Sequence, residues 1–379
     1  MNVPGPRSQA WWAPFAPRTP LDAGLLLPAG ALAAIGLLLL SSATRTDPGS
    51  ALVQRQGLSV CLGLALMWVV SRAEPKVLRA YVPAVYLLGL AALVAVLTPL
   101  GRTVNGSQAW IALGPGLGFQ PSEFAKVSTI LTLAGVLGGR DDGGRPGGRA
   151  VLLALTLAAP PVILIALEPD FGTALVFCAV TIGMITVSGA RMRWLAGIAA
   201  LSALGLALMW RLDLVRPYQL RRLSVLFHPE ADPLGSGYHA AQSRIAVGSG
   251  EVFGTGLFRG GQTAGRFVPE QHTDFIFTVA GEELGFLGTA SIVLLVTLLL
   301  WRGLWITAVS PSSYGTVLAG GVVCWLAFQS FVNLGMTLGI VPITGLPLPF
   351  VSYGGSAVIA ALAAVGLLDA VKRAREPVP

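Results

Sequence analysis

The sequence predicts an all-α integral membrane protein with about ten transmembrane helices, and its composition is the first reason. Apolar residues make up 54% of the 379 residues and charged residues only 11%, whereas a soluble protein carries roughly 25% charged residues. Such a chain has too little charge to cover a surface that faces water. We therefore interpret the net charge of +7 through membrane topology and expect no nucleic-acid partner.

Apolar stretches of spanning length are the second reason, since a helix needs about 20 residues to cross the hydrocarbon layer. Ten candidates run near residues 22–42, 55–71, 78–98, 121–138, 150–167, 171–189, 193–212, 273–300, 313–339 and 350–371. They predict a single polytopic membrane domain over residues 1–379. The three cysteines lie within such stretches without metal-ligand spacing, so we expect buried small side chains and no disulfide.

The distribution of Lys and Arg predicts the orientation, because cytoplasmic loops carry an excess of positive residues. With a cytoplasmic N-terminus, the short outside loops hold only Arg45, Arg55 and Arg102. Both termini are therefore expected in the cytoplasm. Residues 1–20 form the N-terminal segment and 372–379 the tail, and residues 213–272 form a large extracytoplasmic loop between helices 7 and 8.

Glu123 and Lys126 are the first candidate site residues, because charges inside a span are costly and mark pairs or wet cavities. They stand at i, i+3 on one face of the fourth helix, behind Pro121 at its first turn. One interpretation is a structural ion pair between helices. The other is the wall of a cavity that binds a polar head group.

Asp274 follows His272-Thr273 and is expected to open the eighth helix at the outer interface. It is interpreted either as an N-terminal cap, favoured by the helix dipole, or as a general base at the mouth of a cavity. Glu282 and Glu283 lie about two turns deeper, and at least one of them is expected to face the interior.

The long loop is rich in arginine and glycine, both of which suit an anionic ligand. The planar guanidinium binds two phosphate oxygens at once, and a glycine-rich backbone, here residues 248–261, can approach a ligand closely. The candidate phosphate ligands are Arg216, Arg221, Arg222 and Arg244. The alternative is a solvated loop that meets anionic lipid head groups. A divalent cation, Mg²⁺ or Mn²⁺, held by Asp274 and substrate phosphates stays open.

Residues 341–349 contain three prolines and cannot form a spanning helix. Irregular backbone at membrane depth must be buried in protein or line a cavity. The small residues that follow, which include Ser352 and Ser356, are expected to start the last helix and to permit close packing.

These stretches resemble the SEDS family (shape, elongation, division and sporulation), over nearly the whole chain beyond residue 20. The resemblance is carried by Val104-Asn105-Gly106 with Trp110, Gln120–Lys126, PDFGT at 169–173, Tyr218-Gln219, GYH at 237–239 with Gln242-Ser243, PEQHTDFIFTVAGEELG at 269–285 and LPLPFVSYGGS at 346–356. Within the family, the GYH and PEQHTD stretches resemble the RodA (elongation) branch more than the FtsW (division) branch.

Two departures from the family pattern stand out. Ser107-Gln108 precedes Ala109-Trp110 where relatives often carry a basic residue, so that any phosphate contact made there falls to another arginine. Glu168 is often a glutamine in relatives.

The resemblance implies a peptidoglycan glycosyltransferase that polymerises lipid II, an undecaprenyl-linked disaccharide-peptide, during cell elongation and shape maintenance. It implies that Asp274 is the catalytic carboxylate, that undecaprenyl pyrophosphate is the leaving group, and that Glu123 and Lys126 are cavity residues. Trp110, His272, Ser352 and Ser356 are expected in the same cavity. The four loop arginines are the candidates to hold the pyrophosphate.

The resemblance also implies a place and partners: the bacterial cytoplasmic (inner) membrane and its lipids, a class B penicillin-binding protein acting as transpeptidase, and other proteins of the elongation complex. Three alternatives remain at this point. The chain could be a lipid II flippase, a scaffold without chemistry, or a division-branch, FtsW-like polymerase.

Overall fold

The structure, a computed structural model, describes residues 20–45, 50–104, 106–114, 117–139, 145–212, 224–226, 232 and 235–374. Its helices are α1 (Ala23–Ala43), α2 (Ser50–Ser71), α3 (Pro75–Val96), α4 (Pro121–Leu137), α5 (Gly148–Leu167), α6 (Phe171–Val187), α7 (Met192–Arg211), α8 (Ser236–Ser249), α9 (Gly261–Gly265), α10 (Ile276–Val309), α11 (Ser313–Thr337) and α12 (Gly355–Arg373).

Each of the ten predicted spans corresponds to one long helix, so the predicted all-α membrane fold is confirmed. Eight of these helices are long and apolar enough to cross a membrane, and the remaining two, α4 and α6, have 17 residues each. Several boundaries differ from the prediction, and α2 begins at Ser50 instead of residue 55. The eighth span begins at Ile276 and runs to Val309, and the last span begins at Gly355, because residues 341–354 follow an irregular path before that helix.

A small antiparallel sheet between α3 and α4 was not predicted. Its strands β1 (Gly101–Val104), β2 (Ser107–Gly114) and β3 (Leu117–Phe119) pair in the order β1-β2-β3. Helix α8, inside the long loop, was not predicted either. The sheet and α8 give the ends of the bundle a folded outer layer that hydropathy alone does not reveal.

The centre of the bundle is formed by α4, α11 and α12, in which most residues are buried. Helix α12 packs along α2, and α11 packs against α4, α6 and α10. Close approach depends on glycine. A β-carbon on Gly366 of α12 would stand 2.6 Å from the carbonyl oxygen of Met67, which is the small-residue contact typical of membrane helices. Helix α7 contacts α6 and is otherwise exposed.

The cysteine prediction is wrong on burial. Cys61 and Cys178 are exposed on the helix surface and Cys324 is half-buried, and all three are free thiols. Because the outer surface of a membrane bundle meets lipid, an apolar thiol is accommodated there as well as in the core.

A charged cluster ties the two ends of the chain together on one side of the bundle. Asp22, which caps α1, accepts hydrogen bonds from Arg302 at 2.6 Å and pairs with Lys372 at 2.9 Å. Its backbone N–H donates to Asp369 at 3.0 Å. Burial alone would raise the pKa of Asp22, but the hydrogen bonds from Arg302 and Lys372 outweigh it and lower the pKa to about 2.

Helix α10 is broken at Gly285, which has φ +67°. Backbone hydrogen bonds connect the chain around residues 251–256 to the helix at this break. The N–H groups of Thr255 and Gly256 donate to the carbonyls of Glu282 and Glu283, and the N–H of Phe286 donates to Glu251. The glycine-rich segment is therefore docked against main chain rather than free to wrap a ligand.

The side chains of Glu282 and Glu283 complete this docking. Glu282 accepts bonds from both the N–H and the hydroxyl of Thr263 at 2.8 and 2.7 Å. Glu283 accepts from Ser42 at 2.6 Å and from the N–H of Phe258 at 3.1 Å. Both carboxylates are buried, so the prediction that at least one faces the interior is confirmed.

Candidate active site

Asp274 lies in the turn that precedes α10, where its residue is half-buried. The helix begins at Ile276 with Phe275 as its N-cap, and that cap carries no side-chain hydrogen bond. The interpretation of Asp274 as the cap that opens the helix is therefore wrong. The residue stands one position before the cap, outside the helix.

The proline-rich segment 341–349 runs beside Asp274. Gly345 has φ +76°, and a β-carbon built on it would lie 3.4 Å from Oδ2 of Asp274. The neighbouring Leu346 and Leu348 are each 1% exposed. Residues 341–344 are half-buried and Gly345 is exposed, so the segment is buried in protein only toward its end. The exposed glycine leaves room for the carboxylate.

One face of α11 supports both elements. Trp325, Gln329, Asn333 and Thr337 recur every four residues and so lie along a single stripe of the helix. We call them the α11 polar ladder. The amide of Gln329 donates to the carbonyl of Pro347 at 2.9 Å. The amide of Asn333 donates to the carbonyls of Asp274 at 2.8 Å and Leu346 at 2.7 Å.

The intramembrane pair joins the same ladder. Lys126 Nζ is 2.8 Å from Glu123 Oε1 and 2.9 Å from Gln329 Oε1, and it lies 4.7 Å from the centre of the Trp325 ring. Glu123 and Lys126 are each 1% exposed. The pair thus ties α4 to α11, as a structural ion pair does. Within the described residues Glu123 Oε2 has no hydrogen-bond partner, so the pair retains one acceptor.

The other predicted cavity residues fall into two groups. His272 is half-buried two residues before Asp274, and its ring centre is 6.0 Å from that of Tyr353. Ser352 and Ser356 are buried and accept hydrogen bonds from the N–H groups of Leu348 and Gln120. These two serines fix backbone in the structure.

Trp110 lies in β2, where it pairs with Arg102 of β1 and packs on Gly118 of β3. The sheet therefore determines its position. Its membership of the substrate cavity stays a prediction.

Of the four candidate arginines, the structure places Arg244 only; Arg216, Arg221 and Arg222 lie outside the described residues. Arg244 is exposed on α8 and lines a pocket with Met336, Val341, Pro342 and Ile343. Ile343 is two residues from Gly345, a span of at most about 7 Å. Arg244 is thus close to the segment that borders Asp274.

The described residues provide few candidate ligands for a metal cation. Within the described part of the chain, no three His, Cys, Asp or Glu side chains converge as metal ligands would. Asp274 is the one predicted ligand, and its partners would have to come from the substrate.

Gln329 and Asn333 were missed by the sequence reasoning. Their signal was present: two amides four residues apart inside an apolar span, where each polar group needs a partner.

Taken together, a half-buried carboxylate at one end of a helical bundle, irregular backbone at its side and a buried charge pair on the same supporting helix define a polytopic membrane protein with a polar site at that end. The chain belongs to the FtsW/RodA/SpoVE family of cell cycle proteins, which it matches over residues 20–376. The resemblance to the SEDS family is thereby confirmed.

Individual relatives span the same length. The peptidoglycan glycosyltransferase MrdB of Escherichia coli K12 is 37% identical over 371 residues, which cover 98% of this chain and 97% of that protein. Stage V sporulation protein E of Bacillus subtilis is 37% identical over 351 residues, covering 90% and 94%.

Two solved structures have a similar fold over nearly the whole chain. A chain from a peptidoglycan synthase complex, whose structure concerns the coordination of polymerization and crosslinking, has a TM-score of 0.79 at 34% identity and covers 95% of this chain and 100% of that chain. The rod shape determining protein RodA of Thermus thermophilus has a TM-score of 0.69 at 33% identity, covering 94% and 97%.

Proposed function

We propose that this protein is a peptidoglycan glycosyltransferase of the elongation branch, which polymerises lipid II at the outer face of the bacterial cytoplasmic membrane. Support comes from the family, whose relatives include glycosyltransferases of that name over nearly the full chain. It also comes from the site, whose carboxylate lies at the outer end of the bundle under the proposed topology. Both termini are cytoplasmic in this proposal, as the Lys and Arg distribution predicts.

The proposed step is an inverting glycosyl transfer. Asp274 removes the proton from the 4-hydroxyl of the acceptor lipid II, and that oxygen forms a bond to the anomeric carbon of the growing strand. The bond from this carbon to the phosphate oxygen breaks, and undecaprenyl pyrophosphate leaves with the electron pair. Help from a general base contributes typically 10²–10⁴-fold to a rate.

One observation carries the assignment of Asp274. Its Oδ2 faces the gap left by Gly345, while its backbone carbonyl is held by Asn333 inside the bundle. The side chain is therefore placed by a buried scaffold yet stays half-exposed, as a base that meets a substrate must be.

Negative charge develops on the leaving pyrophosphate, and a guanidinium offers it two hydrogen bonds. We assign this role to Arg244, together with Arg216, Arg221 and Arg222 of the same loop. A divalent cation would find Asp274 as its protein ligand.

The partner in this proposal is a class B penicillin-binding protein that crosslinks the strands, alongside other elongation proteins. The support is the similar chain from a synthase complex that coordinates polymerization and crosslinking.

The test uses the purified protein in complex with its cognate transpeptidase. Labelled lipid II is added, and glycan strands are resolved on gels for the wild type, Asp274→Ala and the control Glu251→Gln, which alters an exposed acid of the same outer loop. We expect long strands from the wild type and the control and none from Asp274→Ala.

Strands from all three would remove Asp274 from the chemistry. Their absence from all three, with an intact complex, would reject the polymerase and favour a lipid II flippase.

A further inference from the structure

We propose that Asn333 is a positioning residue, which sets the place of Asp274 by holding its backbone against the proline-rich segment. This inference rests on the proposed function, in which Asp274 is the base. Asn333 lies on α11 and is 0% exposed. Among the hydrogen bonds of the described residues, those of its side chain reach the backbone carbonyl of Asp274 and not its carboxylate.

The side-chain amide of Asn333 uses its nitrogen for hydrogen bonds but not its oxygen. Its Nδ2 donates to two carbonyl oxygens, those of Asp274 and Leu346. Because an amide nitrogen has two hydrogens and a carbonyl only accepts, this orientation of the amide is fixed by its partners. The cost falls on Oδ1, which is buried without a hydrogen-bond partner within the described residues.

A buried acceptor without a partner costs about 1–3 kcal/mol. A side chain selected only for packing would avoid that cost, since leucine has similar size and no polar atoms. The retained amide therefore serves its two donor contacts, which join the residue before α10 to the segment that contains Gly345.

The geometry that these two bonds control is the separation between Asp274 and Gly345. Leu346 is the next residue after Gly345, so one amide spans the main chains on both sides of the carboxylate. A hydrogen bond of 3.0 Å from the N–H of Tyr353 to the carbonyl of His272 still joins the turn to the irregular chain. Without the Asn333 bridge, however, Asp274 and Gly345 can shift relative to each other. Misplacement of a catalytic group by 1 Å can lower a rate about 100-fold.

The α11 polar ladder holds Asn333, and with it the two hydrogen bonds to Asp274 and Leu346, in place. One turn earlier, Gln329 is fixed by Lys126, Trp325 and the carbonyl of Pro347. One turn later, the carbonyl of Thr337 accepts a hydrogen bond at 2.7 Å from Ser243 of α8. Asn333 is thus held between two other cross-links on the same helix face.

The experiment measures kcat and KM for lipid II in the complex with the transpeptidase, for Asn333→Leu and Asn333→Ala. The matched control is Tyr86→Phe, because the buried Tyr86 also donates from its side chain to a main-chain carbonyl of another helix, that of Leu157, at 2.7 Å. The thermal unfolding midpoint of each variant is recorded in the same detergent.

We expect Asn333→Leu to lower kcat about 100-fold with KM within twofold of the wild type and a melting point no lower than that of Tyr86→Phe. Asn333→Ala adds a cavity and so separates packing from hydrogen bonding. The control should keep the wild-type kcat.

Asp274→Ala is measured in parallel to separate the two proposals. If it abolishes turnover while Asn333→Leu keeps kcat within threefold, the positioning role is refuted and the proposed function stands. If Asp274→Ala itself keeps turnover, the proposed function fails first. A loss in Asn333→Leu that appears only as a lower melting point and a reduced yield of active complex, with kcat per active complex unchanged, assigns Asn333 to folding and also overturns the inference.

Discussion

Gly345 adopts a left-handed backbone conformation, φ +76°, directly beside Asp274, and a β-carbon there would lie 3.4 Å from Oδ2 of the carboxylate. Two requirements therefore meet at one residue. The chain must turn in a way that glycine tolerates best, and the proposed mechanism requires the space beside the carboxylate to stay open for an acceptor hydroxyl.

Gly345→Ala is predicted to lower both stability and activity. The left-handed conformation costs a residue with a β-carbon roughly 1–2 kcal/mol, and the new methyl group narrows the approach to Asp274. The matched control is Gly189→Ala, where φ is +72° and nothing lies within 4 Å of the added carbon. Thermal unfolding should show similar losses for both variants, whereas lipid II polymerisation should fall only in Gly345→Ala. Equal activities would contradict the crowding argument.

Lys126→Met is predicted to destabilise the bundle strongly, because it leaves the Glu123 carboxylate buried without its cation. Breaking a buried pair from one side costs about 3–5 kcal/mol. The double variant Glu123→Gln with Lys126→Met should recover part of the loss, since no charge remains to be buried. The measurement is the yield and melting temperature of each purified variant. A double variant less stable than Lys126→Met would show that the pair is not coupled.

Glu168 gives a prediction on pH. This carboxyl, at the end of α5, is 1% exposed; burial, and then the nearby Asp170, raise its pKa from 4.5 to about 8. A raised pKa in the folded protein means that the contribution of Glu168 to stability is complete below about pH 4.5 and is lost as the pH rises through about 8. Glu168→Gln should therefore match the wild type in melting temperature at pH 5 and exceed it at pH 8.5. An equal difference at both values would contradict the prediction.

Asp22 gives the opposite dependence. Its pKa is lowered from 3.8 to about 2, so its contribution is present above pH 3.8 and is lost as the pH falls through about 2. Asp22→Asn should lower the melting temperature at pH 7, and the gap to the wild type should narrow between pH 4 and pH 2. A gap that does not change with pH would mean that Asn disrupts packing rather than the contacts with Arg302 and Lys372.

The membrane helices could be predicted from the sequence because the bilayer imposes one strong rule, a run of about 20 apolar residues. Every predicted span proved helical. The rule says nothing about backbone outside the hydrocarbon layer, where water satisfies polar groups. The sheet formed by β1, β2 and β3 and helix α8 were therefore not predicted.

The site was predictable where a charge lies inside a span, as with Glu123 and Lys126, or directly before one, as with Asp274. For the neutral amides Gln329 and Asn333, the apolar span around them indicates that each needs a partner but not which partner it finds. Those partners, the carbonyls of Pro347, Leu346 and Asp274, belong to segments distant in sequence. Only the fold brings them to one face of α11.

The burial of Glu282 and Glu283 bears on how α10 is inserted into the membrane. Their carboxylates lie within the first turns of α10 and are satisfied by Ser42 and by the segment around Phe258 and Thr263. A helix that enters the bilayer with two ionised side chains is at a disadvantage until such partners are present. Stable insertion of α10 is therefore expected to require α1 and the segment around Phe258 and Thr263 to pack against it, which couples the folding of these three parts of the chain.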